Sequence, residues 1–345
     1  MRGMAVTAYG EPLVPIDLPE PEVPAGYALL EVLTCGVCFS DIKISAGQMP
    51  FSQVLPLPHV PGHEIFGRVL RTNPAGLLEE GMAGTVHHYW PCGRCASCRR
   101  GDETLCSQLV AWTGFTDPGG FRERIGVPVD RLIPIPASID PVHAAPISCA
   151  MGTAYRSVIV RGGVRAGTSV AVIGLGGVGI HAAQVARAAG ARVVGFDVHE
   201  ATLTAARELG LDARMSDEDS VDATLAEEGL EGMDVVLDTV GHAETLEAAD
   251  RLVRAGGRIV GVGYAPGTVF GVSTSRLVLG ELELIGSRFA HRDDLERAVA
   301  LVASGQVRPI VGLVRSLEEV NEVFAALASG EVVGRAVLDV AGVAA

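Results

Sequence analysis

Residues 169–190 read SVAVIGLGGVGIHAAQVARAAG, and their reading decides the fold. SVAVIG (169–174) is an apolar run of the kind buried in a parallel sheet. GVGIHAAQVARAAG (177–190) follows as a helix that ends at a glycine. Between them, Gly174-Leu175-Gly176-Gly177-Val178-Gly179 fits G-x-G-x-x-G. In a chain with 43 glycines the motif alone says little. Its place, directly after a strand and opening a helix, gives it meaning. Gly174 permits the tight turn, Gly176 lets backbone approach a pyrophosphate, and Gly179 lets helix and strand pack closely. Gly177 and Val178 complete the candidate cofactor loop, and the helix N-terminus offers amide donors and a positive dipole end to phosphates. The alternative is a tight strand-to-helix turn that holds no ligand.

Asp197 ends the next apolar run, RVVGFDV (192–198), 23 positions after Gly174. A carboxylate there accepts hydrogen bonds from the adenosine ribose hydroxyls and repels a 2′-phosphate. His199 follows, and no Arg or Lys comes before Arg207, so NAD is favoured over NADP. Without a ligand, Asp197 reads as the N-cap of the next helix.

The alternation continues outward. ATLTAARELG (201–210) reads as a helix, MDVVLDTVG (233–241) as a strand, residues near 243–254 as a helix, and GRIVGVGY (257–264) and LELIGS (282–287) as strands. Strands alternating with helices of this length imply an α/β, doubly wound parallel sheet. Upstream, roughly the first 150 residues carry short β-like runs between turn residues: AVTAY (5–9), ALLEVLTC (28–35), EIFGRVL (64–70) and RLIPIP (131–136). They predict an irregular antiparallel β domain. Downstream lie two helical stretches, DDLERAVALVASG (293–305) and SLEEVNEVFAALASG (316–330), and a closing strand, GRAVLDVAG (334–342).

A chain of 345 residues is long enough for two domains. Its net charge of -14 argues against a nucleic-acid partner, which needs a basic surface. The N-terminus, MRGMAVTAYGEP, has no apolar leader core, so the expectation is a cytoplasmic protein with reduced thiols. The uncharged stretch 166–186 has the length of a membrane span. Its five glycines, with His181 and Gln184, fit a buried strand and turn better.

Four of the seven cysteines, Cys92, Cys95, Cys98 and Cys106, fall in CGRCASCRRGDETLC (92–106). Four thiolates can close a tetrahedral zinc and leave no position open, the pattern of a structural site. Disulfides would need an exporting context. A bacterial iron–sulfur run has three residues before its fourth cysteine and a proline after it, whereas here seven intervene and Ser107 follows. Of the rest, Cys35 has an apolar, strand-like setting and reads as core. Cys38 (in CGVCFSD, 35–41), His63 (in VPGHEIFG, 60–67) and Cys149 (in PISCAMGTAY, 146–155) would together make a three-ligand, open zinc site of the catalytic kind. Spacing alone does not bring the three together.

GVCFSD, PGHE, the four-cysteine loop, CAMGTAY and GLGGVG occur in the order found in the zinc-dependent medium-chain alcohol dehydrogenases, and the chain resembles that family over essentially its whole length. The resemblance implies a GroES-like catalytic domain from residues 1–150 and 287–345, carrying both zincs, and a Rossmann domain over 151–286. It implies Cys38, His63 and Cys149 as ligands of a catalytic zinc, Glu64 as a glutamate able to approach the metal, and Asp41 as the carboxylate orienting His63. Cys92, Cys95, Cys98 and Cys106 match the structural zinc. Thr153 and Arg335 match positions at the nicotinamide end and the pyrophosphate, and Val262, Gly263 and Ser287 match loops bordering the nicotinamide. Ser40 matches the hydroxyl that bonds the substrate oxygen and passes its proton on.

Two positions depart from the family pattern. Phe39 stands where His or Arg is frequent, and Lys43, the only lysine, stands where many members end the proton relay with histidine. An ordinary lysine is a poor base at neutral pH, so the proton leaves through water or Lys43 is tuned downward. Phe39, His88, Trp90, Trp112 and Met151 are the pocket candidates, and they suit an apolar alcohol or aldehyde. The implied activity is NAD-dependent interconversion of a small-molecule alcohol and its aldehyde or ketone, in a homodimer or homotetramer. The alternatives are a polyol or amino-alcohol dehydrogenase, against which Cys149 argues because that branch often uses a carboxylate there, a zinc-free quinone or enoyl reductase, which the intact ligand set disfavours, and a non-catalytic dinucleotide-binding protein.

Overall fold

In the computed structural model, which describes residues 1–52, 55–227 and 232–344, the chain divides into two units. One comprises Met1–Cys149, His291–Ala303 and Val311–Ala345; the other comprises Ala150–Ala290 and Ser304–Ile310. The boundary drawn from sequence, which gave all of 287–345 to the first domain, is corrected at two places. Residues 287–290 and 304–310 belong with the second unit. The second of these stretches is held there by side chains. Gln184 exchanges hydrogen bonds with both the amide (2.9 Å) and the carbonyl (3.0 Å) of Arg308, and His181 Nε2 accepts from the Ile310 amide at 2.9 Å.

The first unit begins with β1 (Arg2–Ala5) and β2 (Val14–Asp17), an antiparallel pair. β3 (Tyr27–Val37) and β4 (Glu64–Asn73) follow, with the helix α1 (Phe39–Ser45) between them. Next come β5 (Ala83–Val86), β6 (Tyr89–Trp90), the single turn α2 (Ala96–Arg99), β7 (Ala111–Trp112), β8 (Arg124–Pro128), β9 (Leu132–Pro134) and a second single turn, α3 (Pro141–Ala144). The strand expected over 5–9 is not formed. β1 stops at Ala5, Val6 makes one isolated bridge to His59, and the chain then turns, with the Tyr9 hydroxyl donating to the Ser52 carbonyl.

The second unit opens with α4 (Ala150–Tyr155) and then alternates β10 (Ser169–Ile173), α5 (Gly179–Ala188), β11 (Arg192–Asp197), α6 (Glu200–Glu208), β12 (Asp212–Met215), α7 (Glu218–Glu227), β13 (Met233–Asp238), α8 (Ala243–Leu252), β14 (Val253–Gly261), α9 (Thr274–Leu279) and β15 (Glu283–Gly286). The six strands are all parallel, in the order β12-β11-β10-β13-β14-β15. This is a doubly wound sheet whose order reverses beside β10, where such folds place ligands. β10 is buried at every residue, which explains its unbroken apolar run.

The chain returns to the first unit through α10 (Arg292–Ala303), β16 (Val311–Ser316), α11 (Val320–Ala328) and β17 (Arg335–Asp339). The helix read over 316–330 is split. Ser316 and Glu319 form a capping box around a 3-10 turn, and the α-helix starts only at Val320. β17 joins the seven-stranded sheet between β16 and β3, antiparallel to β3. With neighbours on both edges, β3 is buried along most of its length. No helix among the described residues is long and apolar enough to cross a membrane.

Candidate metal centre and nucleotide loop

In the first unit, α1 begins at Cys38, which is its N-cap. Asp41, in the first turn, accepts from the Cys38 amide at 2.8 Å, from the Gly62 amide at 3.2 Å and from His63 Nδ1 at 3.1 Å. One buried carboxylate therefore ties the start of α1 to the turn before β4. Cys149 comes from the other side, after the turns at 141–147. The ligating atoms of Cys38, His63, Glu64 and Cys149 lie within 4.8 Å of one another, and all four residues are buried.

The donor chemistry fits zinc. Asp41 accepts from Nδ1, which leaves Nε2 as the free ring nitrogen of His63. That atom is buried and has no hydrogen-bond partner. A buried polar atom left in this way costs stability unless a ligand takes it. Two thiolates, one imidazole and one open position are the zinc set used in catalysis.

The electrostatics show what the site must absorb without metal. Burial opposes charge on His63, but the adjacent Asp41 carboxylate outweighs it and lifts the imidazole to about 10. A hydrogen bond from Cys149 holds the Cys38 thiol well below its ordinary value, while that donor role and burial push Cys149 up. Burial raises Glu64 to about 7 against the pull of Arg335. Arg335, read from sequence as a pyrophosphate contact, is buried in this unit. Its Nη2 sits 2.8 Å from Glu64 Oε1 and 3.6 Å from Cys38 Sγ. Gly36 makes room for Glu64, because a Cβ there would stand 2.2 Å from Glu64 Oε2.

Around His63 the structure gathers rings. Phe115 lies 4.6 Å from the imidazole, Trp112 stacks on Phe115 at 4.1 Å, Phe51 tilts against Trp112 at 5.2 Å, and His88 lies 5.2 Å from His63. Phe51 and Phe115 were not singled out in the sequence, where nothing distinguishes them from core aromatics. Trp90, read as a pocket residue, packs elsewhere. Its ring meets Tyr27 edge-on, and its indole N–H donates to the His87 carbonyl at 3.1 Å. Ser40 Oγ is 3.7 Å from Cys38 Sγ. Phe39 is exposed. Lys43, in the last turn of α1, is lowered by burial, with Cys38 opposing, and its ammonium lies 5.9 Å from the Phe39 ring.

The four-cysteine loop forms a second cluster. Cys95 and Cys98 sulfurs are 3.4 Å apart, Cys95 and Cys106 3.9 Å, and Cys92 and Cys98 4.0 Å. A tetrahedron with Zn–S near 2.3 Å has edges of about 3.8 Å, so this spacing already suits a closed site. All seven cysteines are free of disulfides. Backbone N–H groups, the Cys98 amide first, push the Cys95 thiol down to about 5, while burial and hydrogen bonding to Cys95 push Cys98 up to about 12.

In the second unit the glycine loop runs from β10 into α5. A Cβ on Gly179 would stand 1.7 Å from the Gly174 carbonyl oxygen, whereas one on Gly176 would meet nothing within 4 Å. Gly179 is therefore required by packing, and Gly176 leaves open space. Asp197, buried at the end of β11, accepts from the Leu175 amide at 2.7 Å and from the amide and Nδ1 of His199 at 2.9 and 3.1 Å. Asp238 was missed in the sequence. It ends β13 as Asp197 ends β11, and its carboxylate accepts from the amides of Val240 and Gly241 and from Thr245 Oγ1. The amides of Val262 and Gly263 donate to its carbonyl, and that of Ser287 to the Gly261 carbonyl. Thr153 and Met151 lie buried on α4.

Comparison with known proteins agrees with this geometry. The family model described as an alcohol dehydrogenase GroES-like domain matches residues 24–137, and that described as a zinc-binding dehydrogenase matches residues 177–304. An alcohol dehydrogenase of Geobacillus stearothermophilus is 33% identical over 342 residues, covering 98% of each chain. The crystal structure of an NAD-dependent alcohol dehydrogenase is similar with a TM-score of 0.92 at 29% identity, covering 99% of this chain and 100% of that one. A zinc-binding dehydrogenase from Sinorhizobium meliloti 1021 bound to NADP is similar with a TM-score of 0.89 at 28% identity, covering 98% and 99% of the two chains. Two family models, an identity above 30% over nearly the full length, and two metal-type donor clusters place the chain in the zinc-dependent medium-chain alcohol dehydrogenase family.

Proposed function

We propose that the protein interconverts an alcohol and its aldehyde or ketone, with zinc on Cys38, His63 and Cys149 and NAD on the 174–179 loop. The observation that carries this reading is His63. Its Nδ1 is fixed by Asp41, while its buried Nε2 is left without a hydrogen-bond partner beside two cysteines. A zinc held there lowers the cost of losing a hydroxyl proton and, in the reverse direction, polarises a carbonyl, while NAD supplies the hydride acceptor.

The chain's own residues do the rest. Asp41 sets the orientation of His63 and holds the start of α1 in place. Ser40 Oγ takes the substrate proton and passes it to water or to Lys43. Phe51, Phe115, Trp112 and His88 exclude water and favour an apolar substrate. A zinc on Cys92, Cys95, Cys98 and Cys106 fixes the 92–106 loop and takes no part in the chemistry. β15 is an edge strand of its sheet, and Leu284 on it and Val278 and Leu279 on the preceding α9 are exposed, which supports a homodimer or homotetramer.

Zinc analysis together with NAD and NADP reduction over primary, secondary, aromatic and polyhydroxy alcohols tests the reading. The expected result is two zinc ions per chain and turnover of an apolar alcohol with NAD. A fully zinc-loaded protein that turns over no alcohol overturns it.

A further inference from the structure

We propose that His199 selects the adenosine 2′ substituent of the cofactor by its protonation state, admitting NADP when charged and only NAD when neutral. The proposal rests on the reading of residues 174–179 as a dinucleotide loop. Asp197 is the acidic residue expected to meet the ribose, yet most of its capacity is already used. Oδ1 accepts from both the amide and Nδ1 of His199, and Oδ2 accepts from Leu175 in the glycine loop. A carboxylate has about four lone-pair sites, so about one remains for a ribose hydroxyl.

His199 supplies what Asp197 lacks. An ionised carboxylate only accepts, so Nδ1 must carry the proton, and in the neutral ring Nε2 is then an acceptor. The His199 side chain is 51% exposed at the mouth of the β11–α6 turn. A neutral Nε2 can take a hydrogen bond from a ribose hydroxyl and offers nothing to a dianionic phosphate, which has no proton to give. Once protonated, the same atom becomes a charged donor, the kind of group that binds phosphate. The neighbouring charges are otherwise engaged. Glu200 and Arg207 on α6 pair with each other at 2.6 Å, Asp212 and Arg214 on β12 pair at 2.9 Å, and Asp217 accepts from the Ser220 amide at 2.7 Å.

Calorimetric titration of the zinc-loaded protein with NAD and with NADP from pH 5.5 to 8 tests the proposal, using wild type, His199→Gln and His199→Arg. The phosphate itself gains a proton near pH 6, and the glutamine variant corrects for that. The expected result is a Kd ratio of NADP to NAD that falls about tenfold more in wild type than in His199→Gln as the pH drops, with His199→Arg giving the low ratio at every pH. Parallel profiles in wild type and His199→Gln, with NAD still preferred, overturn the proposal alone. Saturable binding of neither cofactor overturns the dinucleotide reading, and the proposal with it.

Discussion

Asp41 shows how much one side chain can carry. It joins Cys38, Gly62 and His63, two of them proposed metal ligands and the third the residue before one. Asp41→Asn keeps one acceptor oxygen and turns an NH₂ group toward donors. Zinc affinity at the Cys38 site, read by chelator competition, is expected to fall by about 10–100-fold. Lys43 makes a second test. Burial lowers it, and for a lysine that favours the neutral, proton-accepting form. If Lys43 receives the substrate proton, Lys43→Ala loses an inflection in the pH dependence of kcat/KM, and an unchanged profile assigns the step to water. The four-cysteine loop was legible from its spacing, whereas Cys38, His63 and Cys149 were assigned as a set only through the family resemblance, and it is the fold that gathers their ligating atoms. The pairing of Arg335 with Glu64, some 270 positions earlier, was not legible, because nothing in its local sequence announces that partner. Phe115 was invisible because a buried aromatic beside a metal ligand has the same composition and setting as one in any core.

At the scale of elements, the glycine loop allows packing and binding to be separated. Gly179→Ala drives a methyl group into the Gly174 carbonyl and is expected to lower the melting temperature and abolish NAD binding together. Gly176→Ala meets no protein atom. It should leave the melting temperature nearly unchanged while weakening NAD binding, as read by calorimetry. A pH effect belongs to the paired starts of β10 and β13. Burial raises Asp234, but the Ser169 amide and hydroxyl and Arg254 more than offset it and hold the carboxylate low. A depressed carboxylate stabilises the fold above its unfolded value near 3.9, and that contribution is lost as the pH falls through the folded value. Asp234→Asn should therefore cost about 1–2 kcal/mol in urea unfolding at pH 7, and the difference should close below about pH 4. β10, α5 and β11 were readable to within about two residues, because period and punctuation agree there. The run at 5–9 failed because pattern alone cannot supply a pairing partner, and only Ala5, which pairs with Val14, and Val6, which bridges to His59, found one.

At the scale of the molecule, the two metal clusters predict separable losses. Cys98→Ser should halve the zinc content and lower the melting temperature, since the 92–106 loop has little apolar core of its own. The alternating pattern of the second unit was plain in the sequence because its strands follow one another. The first unit was harder to read, since its sheet is completed from the far end of the chain. Cys35 on β3 pairs with Leu338 on β17, about 300 residues later. That pairing fixes the order in which the protein can be finished during synthesis. β3 leaves the ribosome early, and although β8 can cover its residues 27–31, residues 34–37 stay uncovered on that flank until β17 has been added. The six strands of the second unit emerge as one uninterrupted block and can close meanwhile. The unit begun first is thus completed last. Until β17 arrives it presents an open stretch of strand edge, the kind of surface that invites aggregation unless it is covered.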